Sequence, residues 1–408
     1  MSLSRKLVLI FASCCLLLAI IATVLNIPGQ DAAAYLTSGK LVNGSHFDIY
    51  PSVTETSWSV SDSFKDEYCQ IAKTKRYSCE DMLVAYISPP PMLLITALIA
   101  GVPGTLGLHI FQILSALALA LGTTALFLDI SKRDPNFARP LAITFLLLLP
   151  FSVHAIEHGQ TSAWIFLLVV LGLELERESA LTIFSNATLL VCATASKLTP
   201  FAFLGVLLIQ KKWKTTVAAL TLLALSILAS LCLFPSNLYL TFLEILPRFS
   251  EQLRGNTYNV SIDSALFLLH SKLGFEFWVP KTLSLLKGGA VAAVILLAIF
   301  RNIPFRDFWL LCWLAWMAIL PVVWWHYHWI TVASLGGLVG VGRESSQQNR
   351  YWLFALWCAP LSLGYPQLLA AHPVVKIFGA AFIAGSFAWG ARMVLGRKHS
   401  FGEDPVAV

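Results

Sequence analysis

Two charged residues of this chain stand where a charge is either costly or useful in catalysis. Asp31 follows the first apolar segment, where a carboxylate can reach substrate atoms at a membrane surface and act as a general base. As a lone acid, Asp31 would instead cap the helix that begins at Ala32. The residues alone leave both interpretations open.

Lys197 is the second charged residue, and it lies in an apolar stretch with no neighbouring acid and with Pro200 close behind it. Proline disrupts a helix and frees backbone groups, and a broken helix in a membrane usually lines a cavity. A phosphate or pyrophosphate is a suitable partner for a buried ammonium. The alternative is a lysine whose head extends to the outer lipid headgroups.

Two histidines, His326 and His328, flank Tyr327 between tryptophans, an aromatic arrangement typical of a membrane boundary. Both imidazoles are candidates for binding phosphate. Their spacing, with no nearby Cys or clear carboxylate partner, does not match a zinc motif. The sequence therefore predicts no metal and no other cofactor.

Weaker candidates lie in two other polar stretches. His154, Glu157 and His158 form a cluster that we interpret as solvated turn residues, with Glu157 as an alternative acid. Asp48 is a second, weaker acid candidate.

The composition indicates what kind of protein positions these residues. Of the 408 residues, 57% are hydrophobic and 12% are charged, against roughly 25% charged residues in soluble domains. Apolar runs, several of them of membrane-spanning length, recur at 7–27, 106–130, 140–153, 217–234, 283–300 and 374–395. We therefore predict an all-α polytopic membrane protein, residues 1–408 forming one domain with about twelve crossings, several of them short.

The basic residues indicate how the chain is oriented. A net charge of +6 could suggest nucleic acid, but Lys and Arg lie in short clusters between apolar runs rather than along one face. The positive-inside rule places both termini inside and makes residues 28–86 and 235–270 two external loops. Residues 91–102 are too short to span comfortably and are predicted to form a half-inserted or interfacial helix.

The same rule decides between two interpretations of residues 181–210. One long helix would place the basic cluster that follows outside, whereas a hairpin bent at Pro200 returns that cluster to the inside. With the hairpin, the residues that fall on the external side are Asp31, Gln160, Lys197, the segment Arg254–Asn259, His326 and His328.

The first loop also contains two of the eight cysteines, Cys69 and Cys79. If the loop faces an oxidising compartment, these residues could form a disulfide that closes a short excursion. The sequence leaves this pairing open.

Nucleotide-binding and soluble catalytic signatures are missing from the chain. Energy for a reaction outside the membrane must therefore come with the substrate. An activated lipid-phosphate donor fits this requirement best.

Several short motifs follow one another along most of the chain. In order they are Asp31-x3-Tyr35, Asp48-Ile49-Tyr50, Tyr86-Ile87-Ser88-Pro89-Pro90, Gly159-Gln160, Lys197-Leu198-Thr199-Pro200, Asn259-x-Ser261 and His326-Tyr327-His328. This ordered set resembles glycosyltransferase family 87, a branch of the GT-C membrane glycosyltransferases that uses polyprenol-phosphate sugars. The chain departs from the family pattern at Ser88, where a tyrosine before Pro-Pro is usual.

The resemblance implies a GT-C bundle with external loop helices, in which Asp31 is the catalytic base of an inverting transfer. The donor would be a hexose, with mannose favoured, on a polyprenyl phosphate, and the acceptor a hydroxyl of a glycolipid or polysaccharide. The resemblance also implies residues that bind the donor phosphate or the substrates. These are Lys197, Arg254, His326, His328, Gln160, Tyr50 and Asn259.

Competing functions remain open at this point. A transporter or flippase for a lipid or sugar phosphate also uses broken helices and polar residues at membrane depth. A ligase or polymerase acting on an undecaprenyl diphosphate, or a non-catalytic scaffold, are further alternatives. The favoured location is the bacterial inner membrane with the site facing the periplasm or exterior, although an endoplasmic reticulum protein would have the same sidedness.

Overall fold

The computed structural model describes most of the chain. The described residues are 2–25, 27, 29–54, 57–72, 84–102, 106–176, 179–254, 256, 259–273, 285, 287–290, 292–294, 296–297, 303–340, 348–364 and 373–397. Within them the protein is almost entirely helical, which confirms the predicted all-α class.

The first half of the described chain contains eight α-helices and one small hairpin. They are α1 (Leu3–Val24), α2 (Gln30–Asn43), β1 (Ser52–Val53), β2 (Trp58–Ser59), α3 (Asp62–Ile71), α4 (Met92–Ala100), α5 (Leu106–Arg133), α6 (Pro135–Leu147), α7 (Leu149–Glu157) and α8 (Ser162–Leu171). The two strands are antiparallel, with Ser52 opposite Ser59. A 3-10 helix, Gly172–Glu176, extends α8.

The described residues of the second half are also helical. Its α-helices are α9 (Ala180–Ser196), α10 (Phe203–Ile209), α11 (Trp213–Leu233), α12 (Asn237–Arg254), α13 (Ile262–Leu273), α14 (Phe305–Ile319), α15 (His328–Val339), α16 (Gln348–Cys358) and α17 (Pro373–Gly396). Three 3-10 helices connect them, at Thr199–Ala202, Trp325–Tyr327 and Ala359–Gly364.

Four helices of the described ranges, α1, α5, α11 and α17, are long and apolar enough to cross a membrane. The predicted run at 283–300 lies largely outside the described residues, and the total of about twelve crossings stays a prediction. The predicted run at 140–153 is divided between α6 and α7, which meet at Leu148. α4 has nine residues, or about 14 Å of helix, which agrees with an interfacial helix.

After α9 the chain turns back, as the hairpin interpretation predicts. The Lys212 ammonium donates a hydrogen bond of 2.9 Å to the carbonyl oxygen of Leu175, which lies just before α9 begins. The chain that leaves along α9 has therefore returned to its starting level by Lys212. Lys197, at the far end of the 17 residues of α9, is about 25 Å from that level.

Ion pairs join the helices at the level where Lys212 lies. Asp129 of α5 pairs with Arg133 at 3.0 Å and with Arg306 of α14 at 2.5 Å, and Arg397 pairs with Asp307. Arg306 is only 2% exposed, so its charge needs a partner of this kind. We call this level, which contains Arg133, Arg306 and Arg397, the basic end of the bundle. Lys197 lies at the opposite end of α9.

The first loop is folded rather than extended, because α2, the hairpin and α3 all lie within residues 28–86. Cys69 of α3 is disulfide-bonded. Cys79, its predicted partner, lies outside the described residues.

α2 packs closely on α4 at a glycine. A β-carbon at Gly39 would overlap the carbonyl oxygen of Thr96, which is backbone and cannot move aside without shifting α4. The small side chain is therefore what lets the two helices approach each other.

Gly39→Ala is expected to lower the free energy of unfolding by about 1–3 kcal/mol, the usual cost of overpacking, and to lower the thermal unfolding midpoint in detergent. Gly205→Ala in α10 is the matched control, because no atom of the described residues lies within 4 Å of the added β-carbon and alanine favours a helix by about 1 kcal/mol. Equal midpoints for the two variants would contradict the close packing of α2 on α4.

Candidate functional site

Asp31 lies in the first turn of α2, and the N-cap of this helix is Gly29. The capping alternative for Asp31 is therefore wrong. A carboxylate in the first turn still interacts favourably with the helix dipole. Its Oδ2 accepts a hydrogen bond from Nε2 of Gln160, so the two residues that the sequence places on one side of the membrane are in direct contact.

The turn that contains Gln160 packs closely against the start of α2. Gly159 has a φ of +66°, a conformation that glycine adopts at no steric cost. A β-carbon there would lie 2.9 Å from that of Ala32. The Ala32 N–H donates to the His158 carbonyl at 3.1 Å, and a β-carbon at Gly29 would meet the Glu157 carbonyl oxygen at 2.6 Å. Small residues on both segments therefore set the distance between Asp31 and Gln160.

Lys197 ends α9 in an extended conformation, at the break that Pro200 predicts. Its ammonium lies 5.7 Å from the centre of the Tyr327 ring. The Ser196 carbonyl next to it accepts a hydrogen bond of 2.9 Å from Ser88. Ser88, the departure from the family pattern, therefore links the Pro-Pro segment to the residue before Lys197.

Asp31 and Lys197 act on each other electrostatically. Burial raises the pKa of Asp31 to about 6, and the Lys197 ammonium opposes that rise. Both residues retain partial exposure, whereas Gln160, Tyr35 and Tyr327 beside them are each 5% exposed. The side chains that a substrate can reach at this site are therefore those of Asp31 and Lys197.

His326 joins this group together with two histidines of the 150s. Its ring centre is 5.7 Å from that of His154, and the ring centres of His154 and His158 are 4.3 Å apart. His158 is 8% exposed and His154 is half-buried, so their interpretation as solvated turn residues is wrong. The charge of Lys197 also acts on His326.

The histidine cluster, His154, His158 and His326, has unused polar atoms. Both ring nitrogens of His326 and Nδ1 of His154 lack a hydrogen-bond partner within the part of the chain that the structure describes. Across those same residues, no group of three or more His, Cys, Asp or Glu side chains is arranged to hold a metal ion. Imidazoles beside an ammonium suit an oxyanion better, because each can donate a hydrogen bond to it.

His328 is not part of the histidine cluster. His328 is fully buried and packs against Phe382 of α17, with ring centres 5.3 Å apart. Its Nε2 lies 3.4 Å from the β-carbon position of Gly379. The structure thus directs His328 toward α17, while His326 packs on His154.

Asn259, a predicted substrate contact, is engaged by backbone groups. Its amide nitrogen donates to the carbonyls of Leu253 and Pro321, and its oxygen accepts from the N–H groups of Ser261 and Val323 at 3.1 and 3.0 Å. With its donors and its acceptor engaged by backbone, Asn259 positions the segment that precedes His326.

Tyr50 and Arg254 are the remaining predicted substrate or phosphate contacts. The Tyr50 hydroxyl donates to the Ser88 carbonyl at 2.9 Å, and its ring is 5.7 Å from Tyr86, which in turn lies 6.2 Å from Tyr35. Arg254 ends α12, and its Nε is buried with no partner among the described residues. The structure does not bring Arg254 into contact with Asp31 or Lys197.

Sequence reasoning did not single out Tyr35 or Tyr327 as site residues, and it interpreted His154 and His158 as solvated turn residues. A usable signal was present for two pairs, since Asp31 and Tyr35, and His154 and His158, are each four positions apart and share one helix face. The Tyr35 hydroxyl lies 3.5 Å from Oγ1 of Thr161, next to Gln160.

One family model matches this chain over a range that includes Gln160 and Lys197 but not Asp31 or His326. The model of glycosyltransferase family 87 matches residues 86–320, more than half of the chain. No curated protein and no solved structure matches the chain.

Proposed function

Because the chain belongs to glycosyltransferase family 87, we propose that it transfers a hexose, with mannose favoured, from a polyprenyl phosphate to a hydroxyl of a glycolipid or polysaccharide. The family supports a membrane glycosyltransferase and gives no support to a transporter. The observation that carries the proposal is the juxtaposition of Asp31, which Gln160 holds, with Lys197 and His326.

Asp31 is the proposed general base. Gln160 engages Oδ2, and Oδ1 is left to accept the proton of the acceptor hydroxyl. The acceptor oxygen then forms a bond to the anomeric carbon as the bond from that carbon to the phosphate oxygen breaks. Attack from the face opposite the phosphate inverts the anomeric configuration.

Lys197 and His326 are the proposed partners of the departing phosphate. The electron pair of the broken bond goes to the phosphate oxygen, so negative charge increases there in the transition state. A preorganised cation stabilises that charge strongly in a site that excludes bulk water. His154 and His158 would add hydrogen-bond donors on the far side of His326.

The distribution of charge supports transfer on the external side. The ion pairs of Arg133, Arg306 and Arg397 lie at the basic end, about 25 Å along α9 from Lys197. Cytoplasmic loops carry the excess of Lys and Arg. We therefore propose that the site faces the periplasm of a bacterial inner membrane.

The transfer rate is expected to depend on pH through Asp31. A base must be ionised, and the pKa of Asp31 is held near 6 by burial. The value of kcat/KM should therefore be constant above about pH 7 and fall roughly tenfold per pH unit below about pH 5.5. A pH–rate profile between about 4.5 and 8 measures this, and an unchanged rate at pH 5 would contradict Asp31 as the base.

The reaction itself is tested with purified protein in detergent, radiolabelled polyprenyl-phosphate mannose and a lipid extract, with products separated by chromatography. A labelled product that requires the protein is expected. If folded, monodisperse protein forms no product from any polyprenyl-phosphate hexose, the proposed donor is wrong.

A further inference from the structure

Asp31 and Gln160 lie on two separate segments, and one face of α5 holds both. Gln112 Nε2 donates to the carbonyl oxygens of Ile27 at 3.0 Å and of Glu157 at 2.7 Å. Ser115, one turn further along α5, donates to the Gln160 carbonyl at 3.0 Å. These three bonds hold the backbone at or just before Asp31 and Gln160.

The orientation of the Gln112 side chain follows from its partners. Its amide group donates twice to carbonyls, so Oε1 must be the atom that faces Nδ1 of His109 at 2.7 Å. An oxygen there accepts, and Nδ1 of His109 therefore carries the proton. Gln112 is completely buried, and each of its polar atoms has a partner.

We propose that Gln112 is a positioning residue for the reaction, an inference that rests on the proposed role of Asp31. Its single amide joins the segment four residues before Asp31 to the segment three residues before Gln160. Because both bonds end on one nitrogen, they set the separation of the two segments. Gln112 thereby keeps the Asp31 carboxylate on Gln160 and directed at the acceptor hydroxyl.

Gln112→Met tests this, since methionine has a similar length and no hydrogen bonds to offer. Ser115→Ala is a milder variant that removes only the bonds of one hydroxyl. Thr123→Val is the matched control, because Thr123 is also buried on α5 and its hydroxyl bonds to the Leu119 and Ala120 carbonyls of its own helix.

Gln112→Met should lower kcat about 10- to 100-fold, the cost of a displacement near 1 Å. The KM for the donor should stay within about twofold, because the phosphate contacts are untouched. The acid limb of the pH profile should also move below pH 6, since a displaced Asp31 gains water. A residue that only supports folding would lower the yield of folded enzyme and leave the pH profile unchanged.

The outcomes separate this inference from the proposed function. If Gln112→Met has the same kcat and pH profile as the Thr123→Val control, the positioning role of Gln112 is overturned. The proposed transferase function is then unaffected. If Gln112→Met does not fold, Ser115→Ala decides by the same readouts.

If the native protein transfers nothing, the proposed function fails, and hydrogen–deuterium exchange decides the positioning role alone. The Ala32 amide, bonded to the His158 carbonyl, should then exchange faster in Gln112→Met than in Thr123→Val. Equal exchange would overturn the inference.

Discussion

Asp31→Asn is expected to reduce transfer by at least about 100-fold, the usual contribution of a general base. Asparagine has the shape of aspartate and can still accept the hydrogen bond from Gln160, so the docking of α2 should persist. What the variant loses is the basic oxygen that takes the proton of the acceptor hydroxyl. Initial rates with saturating donor measure the effect.

Asp31→Asn should not lower the stability of the protein. Burial holds the pKa of Asp31 near 6, above about 3.9 for an unfolded chain, so the ionised carboxylate costs folding free energy above pH 6. The neutral amide removes that cost, and the unfolding midpoint at neutral pH should be equal or higher. Asp48→Asn, at an exposed acid of the same loop, is the control and should transfer normally. Comparable activity in both variants would remove Asp31 from the base role.

Lys197→Met is expected to lower the rate by about 100- to 1,000-fold, as the loss of one preorganised electrostatic contact typically does. The reason is the uncompensated charge on the leaving phosphate. A second effect is specific to this geometry. Since the ammonium lowers the pKa of Asp31, its removal should move the acid limb of the pH profile above pH 6.

Two further variants check this result. Lys197→Arg keeps the charge and should hold the acid limb near its native position. Lys214→Met removes an exposed lysine of α11 and should change neither the rate nor the profile. A Lys197→Met enzyme with the native acid limb would show that the two charges are not coupled.

The grouping of Asp31, Gln160, Lys197 and His326 could be predicted from sequence because it depends on topology. Apolar run lengths and basic clusters determine on which side each segment ends. The same reasoning predicted the hairpin at Pro200, which the contact between Lys212 and Leu175 supports.

Side-chain direction could not be predicted in the same way. His326 and His328 are two positions apart, and which of them packs on His154 depends on the 3-10 turn at Trp325–Tyr327 before α15 begins. The Asn259 side chain forms hydrogen bonds with carbonyl and N–H groups about sixty residues away in sequence. Such partners carry no local signal.

The pairing of Asp31 with a residue 129 positions later affects how the protein is made. At typical synthesis rates, on the order of ten seconds separate the emergence of the acid from that of Gln160, and Lys197 emerges later still. During this interval the nascent chain holds a hydrated carboxylate with neither neighbour, and its pKa should be that of an ordinary aspartate. A ribosome-bound chain that stops before α9 is therefore expected to be inert, however well its first helices have inserted.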